Sequence, residues 1–146
     1  FNLLEERPTR YVIKKPTRVG YFNFFRYGTA RVAVKLKGIR ENGIYFNQCF
    51  GGGTEHCHGE DTLFLATCLK KRLKIYAIPE VIALLTEERK SSWNVGYGEK
   101  YLIDQGILYK TMSRRWYIFL CLQDAIRHRK MYGVTWYIAY KKMLGK

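Results

Sequence analysis

The residues best suited to chemistry lie together near the middle of the chain, in residues 46–61. This stretch ends in Gly59-Glu60-Asp61, and an apolar segment with helical spacing follows directly. The macrodipole of a helix stabilises the ionised form of a carboxylate in its first turn. An ionised carboxylate within reach of a hydroxyl can accept its proton. The pattern therefore predicts a general base at Glu60 or Asp61, although acids also begin many helices without a catalytic role.

Helical spacing separates these two carboxylates. Asp61, Phe64 and Leu65 recur at intervals of three and four residues, and the pattern continues to Arg72. It predicts a helix over residues 61–72 with a buried stripe that begins at Asp61. Successive helical residues point about 100° apart, so Glu60 cannot share that stripe. Asp61 is therefore the predicted inward carboxylate.

Two neighbouring motifs suggest other chemistry. His56, Cys57 and His58, near Cys49 and Glu60, are residue types that bind zinc, but their spacing matches no structural zinc motif. We interpret them as a loop edge beside the site, where a histidine can contact substrate or its phosphates. Gly51-Gly52-Gly53 lacks the phosphate-loop pattern and predicts a mobile loop, because ordering three glycines has a high entropic cost.

The elements that must position these residues predict an α/β fold with few strands, followed by C-terminal helices. Residues 1–27 are expected to form a strand and a surface loop, and residues 31–37 a half-exposed strand or a short helix entry. A turn at Glu41-Asn42-Gly43 and an extended Ile44-Tyr45-Phe46 follow. Later expectations are strands at residues 74–78 and 81–85 and helices at residues 99–112, 114–130 and 132–144.

Bulk composition bounds the protein class. A chain of 146 residues with 47% hydrophobic content is expected to fold as one compact unit. Four cysteines without paired spacing predict reduced thiols and a cytoplasmic location. The longest strongly apolar run, residues 116–122, is too short to span a bilayer. The chain starts at Phe1 without a methionine, which suggests a cut boundary.

Several segments in order carry a family resemblance. They are Phe50-Gly51-Gly52-Gly53, Gly59-Glu60-Asp61-Thr62-Leu63-Phe64, residues 70–79, Ser91-Ser92-Trp93, and residues 98–106. Together they resemble the acceptor-side segment of family-two glycosyltransferases with the GT-A fold, of the bacterial cell-surface polysaccharide type. The resemblance covers about residues 30–110. It implies that the chain is the C-terminal portion of a GT-A nucleotide-diphospho-sugar transferase fold.

The resemblance also implies roles for individual residues. Asp61 is expected to deprotonate the acceptor hydroxyl in an inverting transfer from a nucleotide-diphosphate sugar, and Glu60 to place the acceptor. The acceptor is expected to be a saccharide or a lipid-linked sugar. Gly53, His58, Gly59 and Trp93 are the predicted acceptor-binding residues. Residues 1–112 are then the acceptor-side catalytic part, and residues 113–146 are basic, aromatic C-terminal helices.

The chain departs from the family in two motifs. It has no Asp-x-Asp, the motif that holds the divalent metal, Mg or Mn, since its only aspartates are Asp61, Asp104 and Asp124. We therefore expect the metal and the nucleotide to bind to a half that is upstream or on another chain, and this fragment alone to be inactive. The Gln-x-x-Arg-Trp signature of processive synthases is also absent, which favours addition of one sugar.

The basic tail leaves further functions open. Residues 109–146 contain nine Lys/Arg and one acid among many aromatic residues. Such helices favour the surface of an anionic membrane, here as a peripheral protein at its inner face, although a solvated basic face explains them equally well. The alternatives in other classes are a basic nucleic-acid-binding domain and a non-catalytic assembly domain. Nucleic acid is the weaker alternative because the acids gather centrally and no recognised motif is present.

Overall fold

A computed structural model describes residues 1–5, 11–85 and 96–146 of the chain. Its elements confirm a mixed α/β fold in which a few strands precede C-terminal helices. The strands are β1 (Asn2–Glu5), β2 (Thr17–Val19), β3 (Ile75–Ala77) and β4 (Val81–Leu85). The helices are α1 (Leu36–Glu41), α2 (Glu60–Lys70), α3 (Glu99–Met112), α4 (Tyr117–Arg127), α5 (Arg129–Tyr132) and α6 (Trp136–Met143).

The chain divides into two compact units, each made of two segments. Unit 1 contains Phe1–Asn47 and Glu60–Lys90, and unit 2 contains Gln48–Gly59 and Ser91–Lys146. This division differs from the expected single unit. Within unit 2, α3 packs with the C-terminal helices α4 and α6. The functional meaning given to residues 1–112 and 113–146 stays a prediction.

Unit 1 contains two separate pairs of strands. β1 and β4 are parallel, with Leu3 opposite Ala83, and β2 and β3 are antiparallel, with Arg18 opposite Tyr76. The side chain of Asn2 links the start of β1 to its surroundings: it donates to the carbonyl of Ile13 at 2.9 Å and accepts from the Ile13 amide at 2.9 Å. Backbone pairing thus holds the short strands β3 and β4, which the sequence predicted at residues 74–78 and 81–85.

Helix α2 supplies much of the core of unit 1. Its buried residues are Leu63, Phe64, Leu65, Ala66 and Cys68. The ring of Phe64 stacks on Phe46 at a centroid distance of 4.3 Å. The helix ends through two hydrogen bonds, from the Arg72 amide to Leu69 and from the Leu73 amide to Cys68. Arg72 has φ 60°, the left-handed conformation that this type of helix ending needs.

In unit 2, helices α3 and α6 approach each other closely at Gly106. A Cβ built on Gly106 would lie 1.8 Å from the carbonyl oxygen of Met143. Only glycine therefore permits this approach of the two helices. Cys121 and Ala125 of α4 and Ala139 of α6 are fully buried in the same unit.

A buried acid organises the end of α4. Asp124 is 5% exposed and accepts a 2.8 Å hydrogen bond from the Tyr132 hydroxyl, while its other oxygen contacts His128. Burial, and after it the Asp124 charge, raise the pKa of Tyr132. The hydroxyl therefore remains protonated and able to donate. This network fixes the short helix α5 against α4.

Some predicted elements differ from the observed ones. Residues 31–37 follow the helix-entry alternative, since α1 begins at Leu36, and Ile44-Tyr45-Phe46 belongs to no strand. The predicted helix at 132–144 is interrupted by Gly133, whose φ of 64° is incompatible with a continuing helix. Thr135 then caps α6 by accepting from the Ile138 amide. In the described part of the chain, no helix combines the length and apolarity needed to cross a membrane.

Candidate functional site

The predicted catalytic residues Glu60 and Asp61 are the first two residues of α2, as the sequence pattern indicated. Both side chains are half-buried, so exposure alone does not separate them. The Thr62 amide donates to Asp61 Oδ1 at 3.1 Å, which uses one of the amides left open at a helix start. Asp61 is therefore held at the N-terminus of α2.

A glycine lies against the Asp61 carboxylate within unit 1. A Cβ built on Gly28 would be 2.8 Å from Asp61 Oδ2, closer than real Cβ contacts. The absence of a side chain at Gly28 therefore makes room for this carboxylate. Gly28 had no predicted role, because a lone glycine outside any motif carries no signal of what it faces.

In unit 2, residues 48–59 form a loop that closes on itself. The Gly51 amide donates to the His56 carbonyl at 2.8 Å, and the His56 amide donates to the Cys49 carbonyl at 3.0 Å. Gly51 and Gly53 have φ of 120° and 80°, which glycine adopts without strain. The three-glycine run is thus part of a hydrogen-bonded turn, and the mobility expected of it stays a prediction.

Asp104 of α3 anchors this loop. It is 2% exposed, and its carboxylate contacts the His56 ring at 3.0 Å, the Cys57 amide at 3.2 Å and the Lys100 ammonium at 2.8 Å. Burial alone would raise the pKa of Asp104, but hydrogen bonds from Lys100, His56 and Cys57 together lower it to about 2. The buried acid is therefore ionised and satisfied by its neighbours.

The His58 side chain contacts α3, the helix that contains Asp104. Its Nε2 lies 2.7 Å from Gln105 Oε1, its Nδ1 lies 3.2 Å from Cys57 Sγ, and its ring stacks on Tyr101 at 4.3 Å. Both ring nitrogens thus have neighbours within the unit. Burial, and after it the hydrogen bond to Asp104, raise the pKa of the Cys57 thiol.

Gly59 fits tightly against α3. Its φ is 108°, and a Cβ there would lie 2.7 Å from a methyl carbon of Leu108. Gly53, by contrast, is exposed, and a Cβ there would meet no atom within 4 Å. Trp93, the remaining predicted acceptor-binding residue, lies outside the described residues.

The predicted site residues divide between the units. Glu60 and Asp61 belong to unit 1, whereas Gly53, His58 and Gly59 belong to unit 2. Within unit 2 the structure gathers His58 with three residues that the site prediction omitted: His56, Asp104 and Gln105. A signal for Asp104 existed, since it stands three residues after Tyr101 and four before Leu108, among positions with helical spacing that are mostly buried.

Three side chains in unit 2 form a group with the donor atoms of a metal site. Cys57 Sγ, a ring nitrogen of His58 and a carboxylate oxygen of Asp104 all lie within 4.8 Å of one another. All four cysteines lie among the described residues, and none of them is in a disulfide. No family model matches the chain, and the searches found no significantly similar curated protein or solved structure.

Proposed function

We propose that this chain is the acceptor-side part of an inverting family-two-type glycosyltransferase, with Asp61 as its general base. The observation that carries the proposal is the placement of Asp61 at the start of α2, half-buried, with its carboxylate against Gly28. A base needs a fixed position and access to its substrate, and this placement offers both. The ordered resemblance of residues 50–64 adds the reaction class.

The chemistry follows from the residue types. The acceptor hydroxyl attacks the anomeric carbon of the donor, a C–O bond forms, and the bond from that carbon to the nucleoside diphosphate breaks. The hydroxyl proton passes to Asp61, and the electron pair leaves with the diphosphate. A single displacement inverts the anomeric configuration. Glu60, beside Asp61, is proposed to orient the acceptor hydroxyl.

The parallel strands of unit 1 also fit the proposal. Parallel sheets are normally covered on both faces, and a two-stranded sheet is marginal by itself. On β4, the side chains of Val81, Ile82 and Leu84 are about half or more exposed, at 57%, 48% and 62%. A donor-binding half supplied by other residues would extend or cover this apolar pair.

The donor's metal does not fit the residues present. The family holds a divalent ion, Mg or Mn, with Asp-x-Asp, and no two of the three aspartates are spaced that way. Asp124 is moreover occupied by Tyr132 and His128. No step of the proposed reaction is therefore assigned to a metal on these residues.

The test of the base is Asp61→Asn in the polypeptide that also contains the donor-binding half. Transfer is expected to fall at least about 100-fold, because general-base catalysis contributes about 100- to 10,000-fold. Donor binding, measured by calorimetry with the nucleoside diphosphate, is expected to stay unchanged. Asp61→Glu is expected to restore part of the activity, since it returns a carboxylate.

A matched control is Glu41→Gln, which neutralises an exposed carboxylate at the end of α1. It is expected to transfer sugar at the wild-type rate. Full activity in Asp61→Asn would remove Asp61 as the base, and loss of donor binding in the same variant would indicate damage beyond the acceptor site.

A second observation favours contact with an anionic membrane surface. In unit 2, Phe119 and Trp116 are exposed at 64% and 55%, beside the basic residues Arg114 and Arg115. An open groove of about 660 Å³ is lined by Trp136 and Ile138 together with basic side chains, Arg129 and Lys130. Exposed aromatic residues flanked by Lys/Arg are typical of peripheral membrane helices. We propose that the exposed residues around Phe119 bring the transferase to a lipid-linked acceptor, with the basic groove as a second contact.

Vesicle binding tests this surface. The chain is expected to co-sediment with vesicles that contain phosphatidylserine, and to lose binding at high salt because surface charges are screened. Phe119→Ser should weaken binding, while Tyr45→Ser, which removes an exposed aromatic ring from unit 1, should not. Equal binding to neutral and anionic vesicles, or none to either, would contradict the proposal.

A further inference from the structure

The strongest feature that the proposed transfer does not use is the group of Cys57, His58 and Asp104 in unit 2. Their donor atoms lie within 4.8 Å of one another, and Cys57 Sγ is 3.2 Å from His58 Nδ1. Ligands at about 2.0–2.3 Å from a tetrahedral zinc ion are separated by similar distances. The group therefore needs only small side-chain adjustments to enclose one ion.

The orientation of His58 supports a ligand role for its Nδ1. Gln105 donates through Nε2 to the Tyr109 hydroxyl at 2.7 Å, so its Oε1 accepts from His58. This hydrogen bond places the ring proton on His58 Nε2 and leaves a lone pair on Nδ1. A second hydrogen-bonded partner of this kind fixes the tautomer of histidines that bind metals.

Asp104 supplies a buried negative charge at the same place. It is 2% exposed, and its cationic partner Lys100 has a side chain that is 67% exposed. An exposed lysine can turn into solvent, so a metal ion can replace its charge. When Lys100 turns away, the backbone amide of Cys57 and the ring of His56 still hold the Asp104 carboxylate in place.

From these contacts we propose that Cys57 Sγ, His58 Nδ1 and Asp104 bind one zinc ion. A thiolate with an imidazole favours zinc over the hard ions Mg²⁺ and Ca²⁺, which take oxygen ligands. Three protein ligands leave a fourth position for water. The ion would fasten residues 48–59 to α3, and this site is separate from the donor metal of the proposed transfer and does not depend on that transfer.

Zinc binding by the purified chain, with any affinity tag removed and after dialysis against a chelator, tests the site. Elemental analysis is expected to find one zinc per chain after re-addition of zinc and gel filtration. Cobalt in its place should give the near-ultraviolet absorption of a thiolate ligand. Cys57→Ser is expected to remove this absorption and weaken zinc binding at least about 100-fold, whereas Cys49→Ser, the exposed thiol of the same loop, keeps both.

The outer contact is tested separately because Asp104 variants risk misfolding. Gln105→Leu should weaken zinc binding about 10-fold by releasing the His58 ring. Gln123→Leu, an exposed glutamine on α4, should have no effect. The proposal is overturned by an absence of bound zinc, by equal losses in Cys57→Ser and Cys49→Ser, or by a cobalt spectrum without a thiolate band.

Discussion

The two units reach their stability in different ways. In unit 2, two glycines pack tightly, Gly106 against the Met143 carbonyl and Gly59 against Leu108. Two acids of this unit, Asp104 and Asp124, are buried. In unit 1, Cβ atoms on Gly20, Gly38 and Gly43 would meet nothing within 4 Å, and its remaining described glycine, Gly28, lies against the Asp61 carboxylate rather than against backbone. Its strands are held mainly by backbone pairing and by Asn2.

This difference indicates where the sequence is constrained. A buried acid is stable only when its partners satisfy it, and a glycine in a tight contact accepts no side chain. Unit 2 therefore depends on a few residues that admit no substitute. Unit 1 should tolerate change at Gly20 and Gly38, whereas Gly43 has φ 59°, a conformation that residues with a Cβ adopt only with strain.

The largest expected effect is at the α3–α6 contact. Gly106→Ala should lower the free energy of unfolding by about 3 kcal/mol, because the new methyl group overlaps backbone atoms that cannot turn aside. Gly38→Ala, also within a helix but in open space, should raise it by about 0.5–1 kcal/mol. Urea unfolding of both variants measures the contrast, and a neutral Gly106→Ala would show that the helices are not in this contact.

The buried acid of α4 should give the next largest effect. Asp124→Ala leaves the Tyr132 hydroxyl buried without its acceptor, which should cost about 2 kcal/mol. Tyr132→Phe in the Asp124→Ala background should cost less than in the wild type, so the double-mutant cycle should show a coupling of about 1 kcal/mol. Additive effects in urea unfolding would mean that these two side chains do not interact. In unit 1, Asn2→Ala should cost only about 1 kcal/mol.

The smallest expected effect concerns the end of α2, where the backbone conformation of one residue lowers the stability of unit 1. Arg72 has φ 60°, a conformation that costs residues with a Cβ about 1 kcal/mol relative to glycine. Arg72→Gly should therefore stabilise the protein by about 0.5–1 kcal/mol. Arg72→Ala removes the same side chain without relieving the backbone, and it should not be stabilising. Thermal unfolding that ranks alanine above glycine would contradict the left-handed helix end.

Much of the fold could be predicted because local patterns decide it. Apolar spacing located α2 and α3, Pro79 marked the end of β3, and Glu41-Asn42-Gly43 marked the end of α1. The position of Asp61 in a first helical turn was also foreseeable. These features depend on neighbours in sequence, which the pattern contains.

Features that depend on distant residues were not predictable from local patterns. Asp104 contacts the loop of residues 48–59 only in the folded chain. The spacing of the residues around His56 and His58 therefore indicated no ligand set. Gly106 gives no hint of Met143, nor Gly28 of Asp61. The break at Gly133 was a local signal that the apolar spacing on either side concealed.

The order in which unit 2 is assembled has a consequence for its biosynthesis. Its first segment, residues 48–59, is translated before α3, and residues 60–90 of unit 1 intervene. On the nascent chain, Cys57 and His58 therefore lack their contacts with Asp104 and Gln105 until α3 has been synthesised. Gly106 likewise cannot pack against the Met143 carbonyl until α6 has been synthesised. Oxidants and chaperones thus have access to this loop during synthesis, and a ribosome that stalled before α3 would hold it open longest.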